Sequence, residues 1–157
     1  MHDQRIALQV KEEQDMMLGI AWVIPVKSDY FRLFPEVVFV DCIEEVNMDS
    51  RALFTASGKD ANGNIFIILR AYLQNQQAWV FRWVFSVVFA KLFHKDILAK
   101  VNLFISDGNQ EEMTQIDAAI MNVFPNAKRQ RCGFHIVRMG WNHHILSKRC
   151  FEGYETL

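Results

Sequence analysis

The sequence predicts an α/β fold in which helices flank a mixed five-stranded sheet. Two apolar runs of strand length, Val37–Cys42 and Val101–Gly108, suit strands that are buried on both faces in the middle of a sheet. Each run carries an aspartate near its end, Asp41 in the first and Asp107 in the second. Between them lies an apolar stretch of helical length, at about 78–93, which supplies the crossover that two parallel strands require.

The composition indicates one globular domain with a sizeable core, since 51% of the 157 residues are hydrophobic. The formal net charge of −1 argues against a strongly basic nucleic-acid-binding module as a whole. Basic residues nevertheless cluster at 125–149, where six Lys or Arg occur without any Asp or Glu. This stretch is either an ordinary solvated face or a surface that contacts phosphates. The second interpretation predicts DNA contacts at Lys128, Arg129, Arg131 and Arg138.

The N-terminal residues 1–16 are a polar lead-in without the apolar core of a signal peptide, so we expect an intracellular protein that is not secreted. Three cysteines do not make a disulfide framework in a domain of this size. The apolar stretch Ala78–Phe93 contains Arg82 and is short for a bilayer span, which favours a buried helix over a membrane helix. The predicted organisation is therefore the lead-in 1–16 followed by one domain, 17–157.

The first half of the chain predicts an antiparallel meander. Met17–Val26 is apolar and predicts an extended segment that Pro25 ends, followed by a loop at Lys27–Asp29. The strand that ends at Asp41 is the first of the five. The next two strands are predicted at Ala52–Gly58 and Ile65–Leu73, because an Asn-Gly turn signal separates them.

The second half predicts alternating helices and strands. Asn75 is predicted to cap the apolar helix that runs to about Phe93. The strand with Asp107 follows, and Asn109 and Glu112 have the spacing of a capping box for a helix that ends near Pro125. A fifth strand is predicted at Arg131–Val137, and a further helix begins near Met139.

This succession predicts the strand order 3-2-1-4-5, which is the ribonuclease-H-like topology. In that order the first and fourth strands are parallel neighbours, so Asp41 and Asp107 lie at adjacent strand ends. Two adjacent carboxylates repel each other unless a cation lies between them, and hard oxygen ligands suit Mg²⁺ or Mn²⁺. The alternative interpretation is that both aspartates only cap turns.

The sequence resembles the Mutator-like element (MULE) transposase domain over about Met17–His144. The resemblance is carried by short motifs in a fixed order: Leu18–Trp22, Val38–Cys42, Ser50–Thr55 with Gly58–Asp60, Ala78–Trp83, Ile105–Gly108 and Cys132–Ile136. It implies a member of the DDE superfamily, in which two Asp and one Glu bind divalent metal for DNA hydrolysis and strand transfer. Asp41 and Asp107 match the two catalytic, metal-binding aspartates, and Cys132 and His135 match the C-x2-H signature of the family.

The resemblance also implies a cofactor, partners and a compartment. These are Mg²⁺ or Mn²⁺, DNA at transposon ends and target, a homo-oligomer, and the nucleus if the source is eukaryotic. The catalytic Glu of the family lies well beyond the C-x2-H signature, and Glu152 and Glu155 follow Cys132 too closely to be assigned that role. The sequence therefore predicts a domain truncated at its C-terminal end, and whether it is an active enzyme is left open.

Individual residues depart from the family pattern or allow more than one role. Asp41 is followed by Cys42, Ile43 and Glu44, where the family usually shows a Thr-Tyr pair, so Glu44 adds a carboxylate near the predicted site. Cys42 is predicted to be a small packed residue rather than a nucleophile. Half of a zinc site at Cys132 and His135, completed by His143, His144 or Cys150, is less favoured than a structural or site-lining role.

Two functions from different classes remain. The first is a transposase catalytic domain, or a fragment of one, since the sequence predicts truncation at the C-terminal end. The second is a non-catalytic, transposase-derived DNA-associated or regulatory protein, and a decayed reading frame is a plainer third alternative. A complete acid triad would favour the first, and two of its members, Asp41 and Asp107, are visible in the sequence.

Overall fold

A seven-stranded sheet organises the part of the chain that the computed structural model describes, residues 7–13, 16–43, 50–106 and 120–135. Its order is β1-β2-β5-β4-β3-β6-β7, with β3–β6 and β6–β7 parallel and the other pairs antiparallel. The strands are β1 (Ala7–Glu13), β2 (Met16–Val23), β3 (Val37–Ile43), β4 (Ala52–Lys59), β5 (Ile65–Leu73), β6 (Leu103–Ser106) and β7 (Lys128–Arg131).

The mixed α/β class is confirmed, but the predicted count of five strands is wrong. Strands β5-β4-β3-β6-β7 lie side by side, and β2 and β1 extend the sheet beyond β5, so the order of the whole sheet differs from the predicted one. Strand β1 lies within the stretch 1–16 that was interpreted as a polar lead-in. Its sequence, ALQVKEE, is half polar because an edge strand needs few apolar side chains to pair its backbone.

Pro25 begins a helix instead of leading into a loop. The predicted loop at Lys27–Asp29 is wrong, because helix α1 spans Pro25–Leu33 with Pro25 in its first turn. Proline lacks an N–H group that a strand or helix interior would need, but the first helical position leaves that group unpaired in any case. The ring of Phe31 packs edge-on against Phe93 with centroids 5.0 Å apart, which anchors α1 to the core.

The apolar stretch forms one helical segment that changes its winding. It consists of α2 (Ala78–Trp83), a π-helical part (Val84–Phe89) and α3 (Ala90–Leu92), and the short α4 (Lys95–Leu98) follows. The cap prediction is wrong, because Gln77 is the N-cap residue and the Asn75 side chain accepts a hydrogen bond from the Gln77 N–H at 3.0 Å. No helix among the described residues is long and apolar enough to span a membrane.

Within the described residues, the last two strands differ from their predicted bounds. Strand β6 covers Leu103–Ser106 of the predicted 101–108, and β7 covers Lys128–Arg131 where the prediction began at Arg131. The KRQR sequence of β7 lacks the apolar pattern of a strand, yet its backbone extends the ladder from β6 at the edge. Residues 133–135 are helical instead of extended.

Two predicted helices fall mainly outside the described residues. Of the helix expected between Asn109 and Pro125, only its end is described, where residues 120–123 are helical and the Phe124 N–H donates to the Ile120 carbonyl at 2.7 Å. The helix expected from Met139 onward lies wholly outside the described part.

The sheet has two unlike faces. Along β4 the side chains alternate between buried and half-buried, so Phe54 and Ala56 enter the core while Thr55 points to the opposite face. We call the first the helix face, because Phe54 packs there against Phe81 and Phe85 of the helical segment. The other face, which carries Thr55, is called the site face below.

A cluster of phenylalanine rings fills the core over the helix face. Phe85 lies at its centre and is 1% exposed. Its ring centroid lies between 5.5 and 6.4 Å from four other phenylalanine rings, which come from β4, the helical segment, β6 and the segment before β7: Phe54, Phe89, Phe104 and Phe124. These contacts tie β4 and β6, the two neighbours of β3, to one helical segment.

Gly58 lies under the ring of Phe66, which leaves no room for a side chain. A Cβ atom at Gly58 would lie 2.5 Å from Phe66 Cζ, and Phe66 is buried. Gly58→Ala is therefore expected to lower the free energy of unfolding by about 1–3 kcal/mol, measured by urea denaturation. Gly133→Ala is the matched control, because a Cβ there meets nothing within 4 Å. Equal stability of the two variants would contradict the close contact.

Asp60 holds the turn between β4 and β5 through its carboxylate. Its Oδ1 accepts the N–H groups of Asn62 at 2.9 Å and Asn64 at 2.8 Å, and its Oδ2 accepts Asn64 Nδ2 at 3.0 Å. The side-chain hydrogen bond from Asn64, followed by backbone donors, lowers the pKa of Asp60 below its ordinary value. Gly63 completes the turn with a φ of +86°, a value that glycine adopts readily.

This lowered pKa predicts an acid-sensitive turn. Because the pKa is lower in the folded chain, the carboxylate stabilises the fold above its unfolded pKa of about 4, and the contribution disappears as the pH falls through the folded pKa. Asp60→Asn is therefore expected to be less stable than the wild type at pH 7, with a difference that shrinks toward pH 2. Urea denaturation at both pH values measures it, and a difference independent of pH would contradict the assignment.

Candidate metal centre at the ends of the central strands

Asp41 lies near the end of β3, on the site face of the sheet. It is paired with Thr55 on β4, and its carboxylate is exposed. The Cys42 N–H donates to Asp41 Oδ1 at 3.0 Å, which restrains the carboxylate beside its own backbone. The prediction that this strand is buried on both faces is wrong, because Val38 is buried toward the helix face while Val37 and Phe39 on the site face are half-buried. An exposed carboxylate near the end of a central strand is a group that solvent and a hard cation can reach.

The pairing of β3 with β6 places the residues that directly precede Asp41 and Asp107 side by side. The two strands are parallel, and the last pair in register joins Val40 to Ser106. Asp41 and Asp107 are the next residues along the two strands in sequence. Asp107 itself lies outside the described residues, so its carboxylate has no described position and the shared metal site stays a prediction.

The C-x2-H signature begins at the same end of the sheet. The Cys132 N–H donates to the Ser106 carbonyl at 2.8 Å, which extends the β6–β7 ladder by one residue. His135 ends a short helix, and its side chain lies outside the described part. The described residues contain no group of three or more His, Cys, Asp or Glu that could hold a metal. The alternative zinc ligands His143, His144 and Cys150 fall outside the description, as does Glu44.

The predicted DNA contacts do not all lie on one face. Lys128 pairs with Leu103 and so shares the site face with Asp41 through the registers of β6 and β3. Arg129 and Arg131 pair with Phe104 and Ser106, which belong to the helix face. Arg138 lies outside the described residues. The contacts themselves remain a prediction, with Lys128 on the same face as the candidate metal ligand.

Cys42 packs against the buried core beside Val40. Its neighbour Asp41 has the opposite orientation because successive residues of a strand point to opposite faces. The packed position is as predicted, and the absence of a nucleophilic role stays a prediction.

The site face also carries residues that the sequence analysis did not select. Thr55, opposite Asp41, is paired on its other side with Arg70 of β5, and Arg70 is paired with Trp22 of β2. The Asn-Gly turn before β5 indicates that β4 and β5 are neighbours. Their register also depends on an irregularity between Ala56 and Ser57, which has no signal in the sequence.

Comparison with known families decides the relationship. The family model of the MULE transposase domain matches residues 34–139, more than half of the chain. The chain belongs to the MULE transposase domain family. The match includes Asp41, Asp107, Cys132 and His135, while the Leu18–Trp22 motif lies before it. The comparison with curated proteins found no match.

For a MULE transposase domain, the position of Asp41 is chemically suited to metal binding. Carboxylate oxygens are the ligands that Mg²⁺ and Mn²⁺ prefer, and Asp41 presents them to solvent near the end of a strand that is paired on both sides. The ring cluster packs against β4 and β6, the two neighbours of this strand, from the helix face.

Proposed function

We propose that this chain is a transposase catalytic domain that acts on DNA phosphodiesters by metal-dependent hydrolysis and strand transfer. The observation that carries the proposal is the parallel pairing of Val40 with Ser106 within a chain of the MULE transposase family. It supports a common site for Asp41 and Asp107, the residues that follow this pair. The run of neighbouring strands β5-β4-β3-β6-β7 supports a ribonuclease-H-like arrangement for this part of the sheet.

The roles of the residues follow from their chemistry. Asp41 and Asp107 would hold Mg²⁺ or Mn²⁺, since neighbouring carboxylates need a cation to offset their repulsion. When bound, such ions would activate a water or a 3′-hydroxyl and stabilise the leaving oxygen of the phosphodiester. The Cys42 N–H orients Asp41 through Oδ1, and the buried ring cluster keeps β3 and its neighbours in position. The third acid of the family is not assigned to Glu152 or Glu155.

The partner in this proposal is DNA. The proposal also includes a homo-oligomer as the DNA-binding form, and a nuclear location if the source is eukaryotic. Lys128 on the site face, with the basic stretch 125–149, would supply attraction for the phosphate backbone. This attraction depends on salt concentration, so binding assays require a fixed ionic strength.

A plasmid-nicking assay tests the proposed chemistry. We expect the protein to nick supercoiled DNA in Mn²⁺ or Mg²⁺ and to leave it intact in EDTA. DNA binding without nicking in either metal would overturn the catalytic assignment and favour the non-catalytic, DNA-associated alternative. Nicking that persists in EDTA would show a contaminating or metal-independent activity and would also contradict the proposal.

A further inference from the structure

A line of four side chains crosses the site face from the candidate metal ligand. The strand registers pair Asp41 with Thr55, Thr55 with Arg70, and Arg70 with Trp22. Residues paired in this way point to the same face of a sheet. With neighbouring strands about 4.8 Å apart, Arg70 lies about 10 Å and Trp22 about 14 Å from Asp41 along this line.

The chemistry of this line changes along its length. It begins with the carboxylate of Asp41, continues with the hydroxyl of Thr55 and the exposed guanidinium of Arg70, and ends at an aromatic pair. In that pair the half-buried rings of Trp22 and Tyr72 lie with centroids 5.3 Å apart and planes at 42°. Tyr72 belongs to the same face because it is two residues from Arg70 on β5.

We propose that this line is a binding track for one unpaired DNA strand that leads away from the site at Asp41. Arg70 contacts a phosphate near the one at Asp41, because a guanidinium binds phosphate oxygens in a bidentate manner. The Trp22 and Tyr72 rings stack on an unpaired base beyond it. The identity of the ligand as DNA and the presence of a phosphate at Asp41 rest on the proposed function.

An unpaired strand fits this surface better than a duplex does. Bases in a duplex are already stacked on their neighbours, so their faces are not available to protein aromatic rings. A sheet surface with aromatic rings and a basic side chain is a common platform for unpaired strands. Thr55 between Asp41 and Arg70 adds a hydroxyl that can donate to a phosphate oxygen.

Fluorescence anisotropy without metal tests the track separately from the chemistry. The probe is a labelled 15-nucleotide dT strand in EDTA at fixed salt, compared with the same strand in a duplex. We expect the wild type to bind the single strand more tightly than the duplex. Relative to the wild type, we expect Arg70→Gln to bind the single strand about fivefold more weakly and Trp22→Leu about tenfold more weakly. Tyr72→Leu provides a second test of stacking, and circular dichroism confirms that each variant is folded.

Arg82→Gln is the control matched in charge. Arg82 is exposed on α2, the helix that packs over the opposite face of the sheet, so its removal is expected to change the affinity less than twofold. Equal effects of Arg70→Gln and Arg82→Gln would overturn the track, as would a preference for the duplex or for a matching RNA strand. If nicking fails while Arg70-dependent binding persists, only the proposed function fails. If the protein nicks DNA but its binding of the single strand does not depend on Arg70, only the track fails.

Discussion

Asp41→Asn is expected to slow Mn²⁺-dependent nicking by about 10²- to 10³-fold. The substitution keeps the size of the side chain but removes the negative charge that would hold the cation, and metal stabilisation of the transition state amounts to several kcal/mol. The carboxylate is exposed at the end of β3, so its loss leaves no buried group unpaired. Initial rates on supercoiled plasmid at saturating Mn²⁺ measure the effect.

Glu36→Gln is the matched control for this variant. Glu36 is an exposed carboxylate just before the opposite end of the same strand, and its backbone carbonyl, not its side chain, accepts the N–H groups of Asn102 and Leu103. We expect its nicking rate to stay within about twofold of the wild type. A similar loss in both variants would indicate a general charge effect, and full activity of Asp41→Asn would contradict its role as a ligand.

Phe85→Ala is expected to lower the free energy of unfolding by about 3–5 kcal/mol. The ring is 1% exposed and contacts four other phenylalanine rings, so its removal leaves a cavity that the surrounding core cannot readily close. Urea denaturation followed by circular dichroism measures the change. These rings pack against β4 and β6 on either side of β3. We therefore expect the candidate site to be lost in the same transition in which the variant unfolds.

Phe134→Ala provides the comparison for the core variant. Phe134 is 61% exposed, so the same substitution removes much less buried area there and is expected to change stability by about 0.5 kcal/mol or less. A Phe85→Ala variant with nearly wild-type stability would contradict the central position of this ring in the core.

The central meander could be predicted because local signals agree with one another there. The alternating pattern of Ile65–Leu73 and the turn signal at Asn62 and Gly63 specify neighbouring strands, and β5 has the predicted bounds. The apolar helical stretch also behaves as predicted, because its side chains have to be buried. Its π-helical part has no counterpart in the periodicity of the sequence.

The edges of the sheet could not be predicted in the same way. Strands β1 and β7 contain many polar residues because an edge strand is held mainly by backbone hydrogen bonds on one side. Helix α1 was missed because Pro25 is equally suited to ending a strand and to beginning a helix. For β7 and α1 the deciding partner is remote in the chain, β6 for the strand and Phe93 for the helix, whereas β1 pairs with β2, which follows it directly.

In the candidate site, too, some residues have a local signal in the sequence and others do not. The position of Asp41 near a strand end was predictable, because the apolar run before it has the length and composition of a central strand. Arg70 was not, since only the strand register, with its irregularity after Ala56, aligns it with Asp41.

A calorimetric titration with Mn²⁺ tests the shared metal site most directly. The wild type is compared with the double variant Asp41→Asn, Asp107→Asn under identical salt conditions. We expect binding to the wild type that disappears in the double variant, because both ligands are then lost. Identical titrations of the two proteins, with or without binding, would contradict a metal centre at Asp41 and Asp107.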